Sequence, residues 1–239
     1  MKIYPVIHMQ SPEHALTLSK QAFGAGADGV FVIDHVTYQT PEILTETYQH
    51  LREELGQTAW IGVNYLNLFP NEAALHLVSA KHSDFISQMP DGLWADDAIS
   101  TAGLHDVPAL KSANLMEDVA YFGGIAFKYT RHYTDDPAEA AAQAVEYASM
   151  VDVVTTSGAG TGISAKVDKV AAMKQAMREA GIDKPLALAS GVTIDNIRSF
   201  GQAGLDIVLA ASSIETGKYS GVFNLYKMYE LIHAAHEIE

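Results

Sequence analysis

Apolar residues in this chain come in short solid runs, and after each run they recur every three or four positions. Solid runs of four to eight suit strands buried on both faces, and the spaced pattern suits amphipathic helices. The runs fall at residues 3–8, 29–33, 59–63, 84–87, 119–128, 151–155, 186–189 and 207–210. Within 119–128, Gly123-Gly124 interrupts, so the second half, ending at Lys128, is the expected fifth strand.

Helix punctuation separates the runs. Ser11-Pro12-Glu13 and Thr40-Pro41-Glu42 each offer a cap, a first-turn proline and an acid, and Asp136-Pro137-Ala138-Glu139 resembles a capping box. Ala15, Leu18 and Ala22 share one helical face, as do Leu44, Tyr48, Leu51 and Leu55. Asn71 can cap a helix carrying Ala74, Leu75 and Val78, and a further helix is expected over 164–180. Thr193 is expected to cap a helix with Ile194, Ile197 and Phe200, and a last helix over 220–236 to carry Val222, Leu225, Tyr229 and Ile232. Residues 93–118 are the least regular, with a helix expected over 104–115 and a loop over the site nearby.

Eight strand candidates alternating with helices predict an α/β fold, a single (β/α)8 TIM barrel spanning residues 1–239. An open doubly wound sheet is the competing arrangement. The closed barrel is favoured by two late junctions where a strand runs into small residues: Leu188-Ala189-Ser190-Gly191-Val192-Thr193 and Val208-Leu209-Ala210-Ala211-Ser212-Ser213. Small residues let backbone N–H groups approach a ligand, and a helix N-terminus behind them favours negative charge. After strands seven and eight of a barrel, such junctions make a phosphate clamp. Its expected residues are Ser190, Gly191, Ala211, Ser212 and Ser213, joined by Gly160 from the loop after strand six.

Composition narrows the partners. The length of 239 residues suits one barrel, and 48% hydrophobic residues supply a large core. A formal charge of −14 argues against nucleic acid and anionic lipid, though not against a small anion held by local N–H groups. With no cysteine, disulfides, thiol nucleophiles and thiolate metal sites drop out. The first nine residues do not read as a signal peptide, and no run approaches the ~18 apolar residues of a membrane helix. The expectation is a cytoplasmic protein that needs neither membrane nor cofactor, with homo-oligomerisation left open.

Chemistry in such a barrel sits where strands end. The polar residues there are His8, Asp34, His35, Asn64, Asp91, Lys128, Thr156 and Ser157. Asp34 is the expected acid/base, with Lys128 and Asn64 orienting the reacting end and His8 able to shuttle protons near neutral pH. Lys128 suits a phosphate or carboxylate contact, a Schiff base, or simple pairing with an acid. The run Ser157-Gly158-Ala159-Gly160-Thr161-Gly162 lacks the third glycine of a dinucleotide fingerprint, where Ile163 stands, and lacks the P-loop lysine. It reads as a loop over a ligand, to which Lys218 could add charge. No metal site stands out, since His233, His236 and Glu237 form only a surface cluster.

Several blocks resemble the BtpA family of barrels, within the ribulose-phosphate-binding group. They are Gly62-Val63-Asn64-Tyr65-Leu66-Asn67 with Glu72-Ala73-Ala74-Leu75, Phe127-Lys128, Thr156-Ser157-Gly158 with Thr161-Gly162, Ser190-Gly191-Val192-Thr193 with Asn196-Ile197, and Ala210-Ala211-Ser212-Ser213-Ile214. The chain departs from that pattern in having Met9-Gln10-Ser11-Pro12 directly after His8, Asp34-His35 after strand two, and Ala211 where a glycine is usual. The resemblance implies a barrel with its phosphate at strands seven and eight. It names no reaction. The leading expectation is an enzyme of lyase or isomerase type acting on a small phosphorylated or nucleotide-like molecule. The alternatives are a non-catalytic BtpA-like assembly or binding protein and a barrel that binds flavin mononucleotide at the same clamp.

Overall fold

In a computed structural model, which describes residues 1–35, 40–99, 106–217 and 220–238, eight parallel strands close into a barrel in sequence order. The elements are β1 (Lys2–Met9), α1 (Pro12–Gly24), β2 (Val30–Asp34), α2 (Pro41–Leu55), β3 (Ile61–Asn64), α3 (Pro70–His82), β4 (Gly92–Ala95) and α4 (Asp106–Ser112). The second half continues with β5 (Ala120–Gly124), α5 (Pro137–Tyr147), β6 (Val153–Ser157), α6 (Val167–Glu179), β7 (Leu186–Ala189), α7 (Ile197–Gln202), β8 (Ile207–Ala210) and α8 (Leu225–His236). Register between β8 and β1 runs from Lys2↔Ile207 to Pro5↔Ala210, which closes the ring. The open-sheet alternative is thereby excluded.

Two of the expected helix starts carry the capping bonds their residue types allow. Ser11 Oγ accepts the His14 N–H at 3.1 Å, and Asp136 Oδ1 accepts the Glu139 N–H at 2.9 Å. Thr40 makes no such bond.

Two cores result from strand alternation. Outward residues such as Ile7, Val32, Val63, Leu93 and Leu188 pack under the helices. Inward residues such as Tyr4, Phe31, Phe122 and Ile207 fill the barrel. The lower half is sealed by aromatic rings: Tyr4 stacks on Trp60 at 4.4 Å, and Phe31 meets Phe122 edge-on at 5.0 Å. Gly62 makes this possible, because a Cβ there would stand 2.3 Å from the Phe31 ring. Ligand space inside the barrel is therefore confined to the mouth at the strands' C-terminal ends.

Several expected elements shift. Residues 84–87 are not a strand. Asp84 has φ of 58°, and the Phe85 and Ile86 N–H groups fold back onto the Ala80 carbonyl, finishing α3. The true fourth strand is Gly92–Ala95, so Asp96 follows its end. The fifth strand is the first half of its run, Ala120–Gly124, because Ala126 (φ 50°) and Tyr129 (φ 62°) turn the chain before and after Lys128. Asn196 stands at the N-cap of α7 in place of Thr193, and its Oδ1 accepts the Thr193 N–H at 2.8 Å. The last helix begins at Leu225, since residues before it form a bridge, Glu215↔Phe223. It buries Met228, Leu231 and Ile232 and leaves Leu225 and Tyr229 exposed, and Val222, which precedes the helix, is exposed too.

Asp91 precedes β4 and therefore lies at the opposite end of the barrel from the mouth. It takes the Ile61 N–H at 2.7 Å and the Arg52 guanidinium at 2.5 Å. The Arg52 side chain is 2% exposed and that of Asp91 25%. Arg52→Ala leaves this carboxylate half-buried and unpaired, and is expected to cost about 3 kcal/mol in urea unfolding, the low end for a broken buried pair.

Candidate active site

Strand parity decides which polar residues face the mouth. Tyr4 and Val6 point inward on β1, so His8 does too. Trp94 points inward on β4, so Asp96 follows it. Asn64 shares the inward phase of Gly62 on β3. These three, with His35, Leu66 and Lys128, line one side of a cavity of about 170 Å³. The opposite side is formed by Tyr129, Thr161, Gly162, Ser190, Ala211 and Ser212. Val6, Ile33, Trp94, Ala189 and Leu209 make an apolar floor.

Asp34 does not join this wall. Phe31 and Ile33 occupy the inward phase of β2, which sends Asp34 outward, toward a small void between β2 and α2 lined by Thr40, Pro41, Leu44 and Tyr65. The carboxylate in the cavity is Asp96. Asn64 Nδ2 donates to Asp96 Oδ1 at 3.1 Å. Burial pushes the Asp96 carboxyl above its ordinary range, against the opposing pull of the Lys128 charge and the Asn64 hydrogen bond, while Asp97 adds to the rise. Burial pushes Lys128 the other way, downward, with Asp96 opposing. The two groups thus approach each other in proton affinity, which suits proton transfer.

A second pair stands at the end of β1. His8 Nδ1 meets Glu215 Oε1 at 3.1 Å, and Glu215 is 2% exposed. A carboxylate on one ring nitrogen fixes the imidazole's orientation. The His35 ring lies edge-on to His8 at 4.8 Å. Burial lowers the His35 pKa, helped by His8 and Lys128 and opposed by Asp34 and Glu215, so His35 is held toward its neutral form.

The loops after β6 and β7 are tied together. Ser190 Oγ donates to the Gly160 carbonyl at 2.8 Å and accepts the Gly162 N–H at 3.0 Å. The Tyr129 hydroxyl accepts the Thr161 N–H at 3.0 Å. Gly191 (φ 72°) lets the Ile163-Ser164 backbone press against it, since a Cβ there would stand 2.3 Å from Ser164 N and Cα. Of the expected clamp residues, Ser190, Ala211 and Ser212 line the cavity, whereas Gly160, Gly191 and Ser213 do not. Lys218 lies outside the described residues. The helix termini expected behind the clamp are displaced. The helix after Gly191 begins only at Ile197 and has six residues, and among the described residues the helix after Ser212-Ser213 begins at Leu225. An anion here would rest on local N–H and hydroxyl groups.

Thr156 and Ser157 brace the scaffold. Thr156 Oγ1 donates to the Ala126 carbonyl at 3.3 Å, and Ser157 Oγ accepts the Lys128 N–H at 2.7 Å. They are joined by Lys169, fully buried in the first turn of α6. Its ammonium donates to the Ala126 and Ser157 carbonyls, both at 2.9 Å, with Asp135 at 4.0 Å and the Tyr133 ring at 5.0 Å. This pins the segment carrying Lys128 to the end of β6. Burial lowers the Lys169 pKa from 10.5 to about 8, with Asp135 opposing. Between those values the unfolded chain holds more protons than the folded one, so the burial cost is full below pH 8 and fades toward 10.5. Relative to Lys169→Met, the wild type should gain on the order of 1 kcal/mol of unfolding free energy per pH unit across that window. A difference that stays flat with pH in urea unfolding would show the ammonium to be solvated.

The fold and this mouth define a (β/α)8 barrel with its polar groups at the strand C-terminal ends. No family model and no curated protein sequence matches the chain. Solved structures share its fold. The native KDPGal structure aligns with a TM-score of 0.68 and 13% identity, covering 100% of this chain and 96% of that one. The (S)-3-O-geranylgeranylglyceryl phosphate synthase of Thermoplasma acidophilum, in complex with its substrate sn-glycerol-1-phosphate, aligns with a TM-score of 0.67, 15% identity and coverage of 99% and 94%. Phosphoribosyl anthranilate isomerase from Thermus thermophilus aligns with a TM-score of 0.63, 14% identity and full coverage of both chains. No helix among the described residues is long and apolar enough to cross a membrane, and no cluster of three His, Asp or Glu that could hold a metal ion occurs among them.

Proposed function

We propose that this chain, a BtpA-like barrel of the ribulose-phosphate-binding group, is an enzyme that moves a proton on a small phosphate ester, in a lyase or isomerase reaction. The observation carrying this reading is the arrangement of Asp96 and Lys128 beside Asn64, and of His8 on Glu215, around one cavity whose far wall is Thr161, Gly162, Ser190 and Ser212. Several solved barrels of the same fold carry a phosphorylated compound in their names, which supports the substrate class.

In this reading the phosphate rests against the loops after β6, β7 and β8. The reacting carbon then faces Asp96. Asp96 removes the proton next to a carbonyl or imine, and its raised pKa makes it a base strong enough for that task. The Lys128 ammonium stabilises the charge developing on the oxygen. His8, oriented by Glu215, gives a proton of its own to the neighbouring atom, and the cycle closes as Asp96 releases the proton it took to solvent and His8 regains one from solvent. Asn64 keeps the Asp96 carboxyl aimed at the cavity.

The test is to incubate the protein in D2O with a panel of triose, pentose and hexose phosphates and follow deuterium uptake by mass spectrometry. Uptake at a carbon next to the carbonyl of one member is expected. Tight binding of sugar phosphates with no exchange and no bond cleavage would favour the non-catalytic binding protein instead.

A further inference from the structure

A second cavity, of about 180 Å³, opens beside the mouth and shares Asn64, Leu66 and Asp96 with it. Its wall is chemically divided. Leu66, Leu68, Phe69 and Pro70, from the turn after β3, make an apolar side, and Asp96 with Asp97 makes an acidic edge. Among the described residues neither Lys, Arg nor His lines it, whereas His8, His35 and Lys128 all line the mouth. A second phosphate is therefore disfavoured by charge.

The apolar side is held open. Phe69 is 57% exposed, although its backbone is fixed: the Phe69 N–H donates to Glu72 Oε2 at 2.9 Å in the cap of α3, with Pro70 next. The turn is closed by the Leu68 N–H on the Tyr65 carbonyl at 3.1 Å. An aromatic ring anchored at a cavity rim and left half in water is placed to stack on a ligand.

Building on the phosphate-ester reading above, we propose that this cavity is a second subsite of the same ligand, taking a flat, apolar ring with hydrogen-bond donors on its edge. The substrate class is then nucleotide-like: a phosphate at the loops after β6–β8, a sugar or sugar-like chain passing Asp96 and Lys128, and a ring against Phe69. The ring's N–H donors face the Asp97 side, and a carboxylate on the ring is repelled by it.

Calorimetric titration with three probes separates the two claims: inorganic phosphate, ribose 5-phosphate and adenosine 5′-monophosphate. Adenosine monophosphate should bind about tenfold more tightly than ribose 5-phosphate, the worth of one well-stacked ring. Phe69→Ala should erase that advantage while leaving ribose 5-phosphate unchanged, and Phe69→Tyr should restore it. If ribose 5-phosphate binds and the adenine adds nothing, or its advantage survives Phe69→Ala, the subsite is wrong and the phosphate site stands. If none of the three binds, both fall.

Discussion

Asp96→Asn is expected to lower the rate of proton exchange on the accepted sugar phosphate by about 10²–10⁴-fold, the usual worth of a positioned acid/base. Binding of the phosphate group should stay within about twofold, because the binding loops lie on the opposite wall. Asparagine keeps the shape and can still meet Asn64, so the loss reports the missing proton carrier. The pH profile gives an independent reading. Exchange requires ionised Asp96, whose pKa burial has raised, so the rate climbs with pH on a limb above the ordinary carboxylate range. The Lys128 charge opposes that rise. Lys128→Met should therefore move the limb to higher pH as well as slow the reaction. An Asp96→Asn protein that keeps its rate within about threefold would remove Asp96 from the chemistry. Asp34→Asn, facing the helix layer, is the matched control.

The second large effect is expected at Gly191. A Cβ there meets Ser164 backbone at 2.3 Å, and φ is 72°. Left-handed strain costs about 1–2 kcal/mol and overpacking about 1–3 kcal/mol. Gly191→Ala should therefore destabilise by about 2–5 kcal/mol in urea unfolding. To relieve the contact the loops after β6 and β7 must separate, which also parts Ser190 from Gly160 and Gly162. Phosphate affinity should fall by about tenfold or more. Gly181 is the control: its φ is 70°, but no atom lies within 4 Å of an added Cβ. Gly181→Ala should cost only the strain, about 1 kcal/mol, and leave binding intact.

The barrel is legible because strands buried on both faces are written as solid apolar runs, and β7 and β8 stand at the residues their runs mark. The same property hides parity. In Val30–Asp34 nothing in the residue types tells inward from outward, and so Asp34 reads as a mouth acid when it faces a helix. Asp96 is missed through one misplaced strand. Gly92-Leu93-Trp94-Ala95 carries a glycine and a large ring, whereas Asp84–Ser87 imitates a strand and in fact finishes a helix. The small residues Ser190 and Ser212 are legible as lining of the mouth cavity, since few side chains fit so close to a strand end. Glu215 has no local signal. It meets His8 across 207 positions, through a turn fixed by the bridge to Phe223. Lys169 looks like an ordinary solvated lysine in a helical first turn, and only the packing of α6 on β5 and β6 shows otherwise.

The most direct test is a crystal structure grown with phosphate or with a sugar phosphate found active in exchange. A phosphate group is expected to be bounded by Thr161, Gly162, Ser190 and Ser212, with the organic part directed toward Asp96 and Lys128. An empty mouth at saturating ligand, or a phosphate bound instead at the other end of the barrel near Lys2 and Arg178, would contradict it.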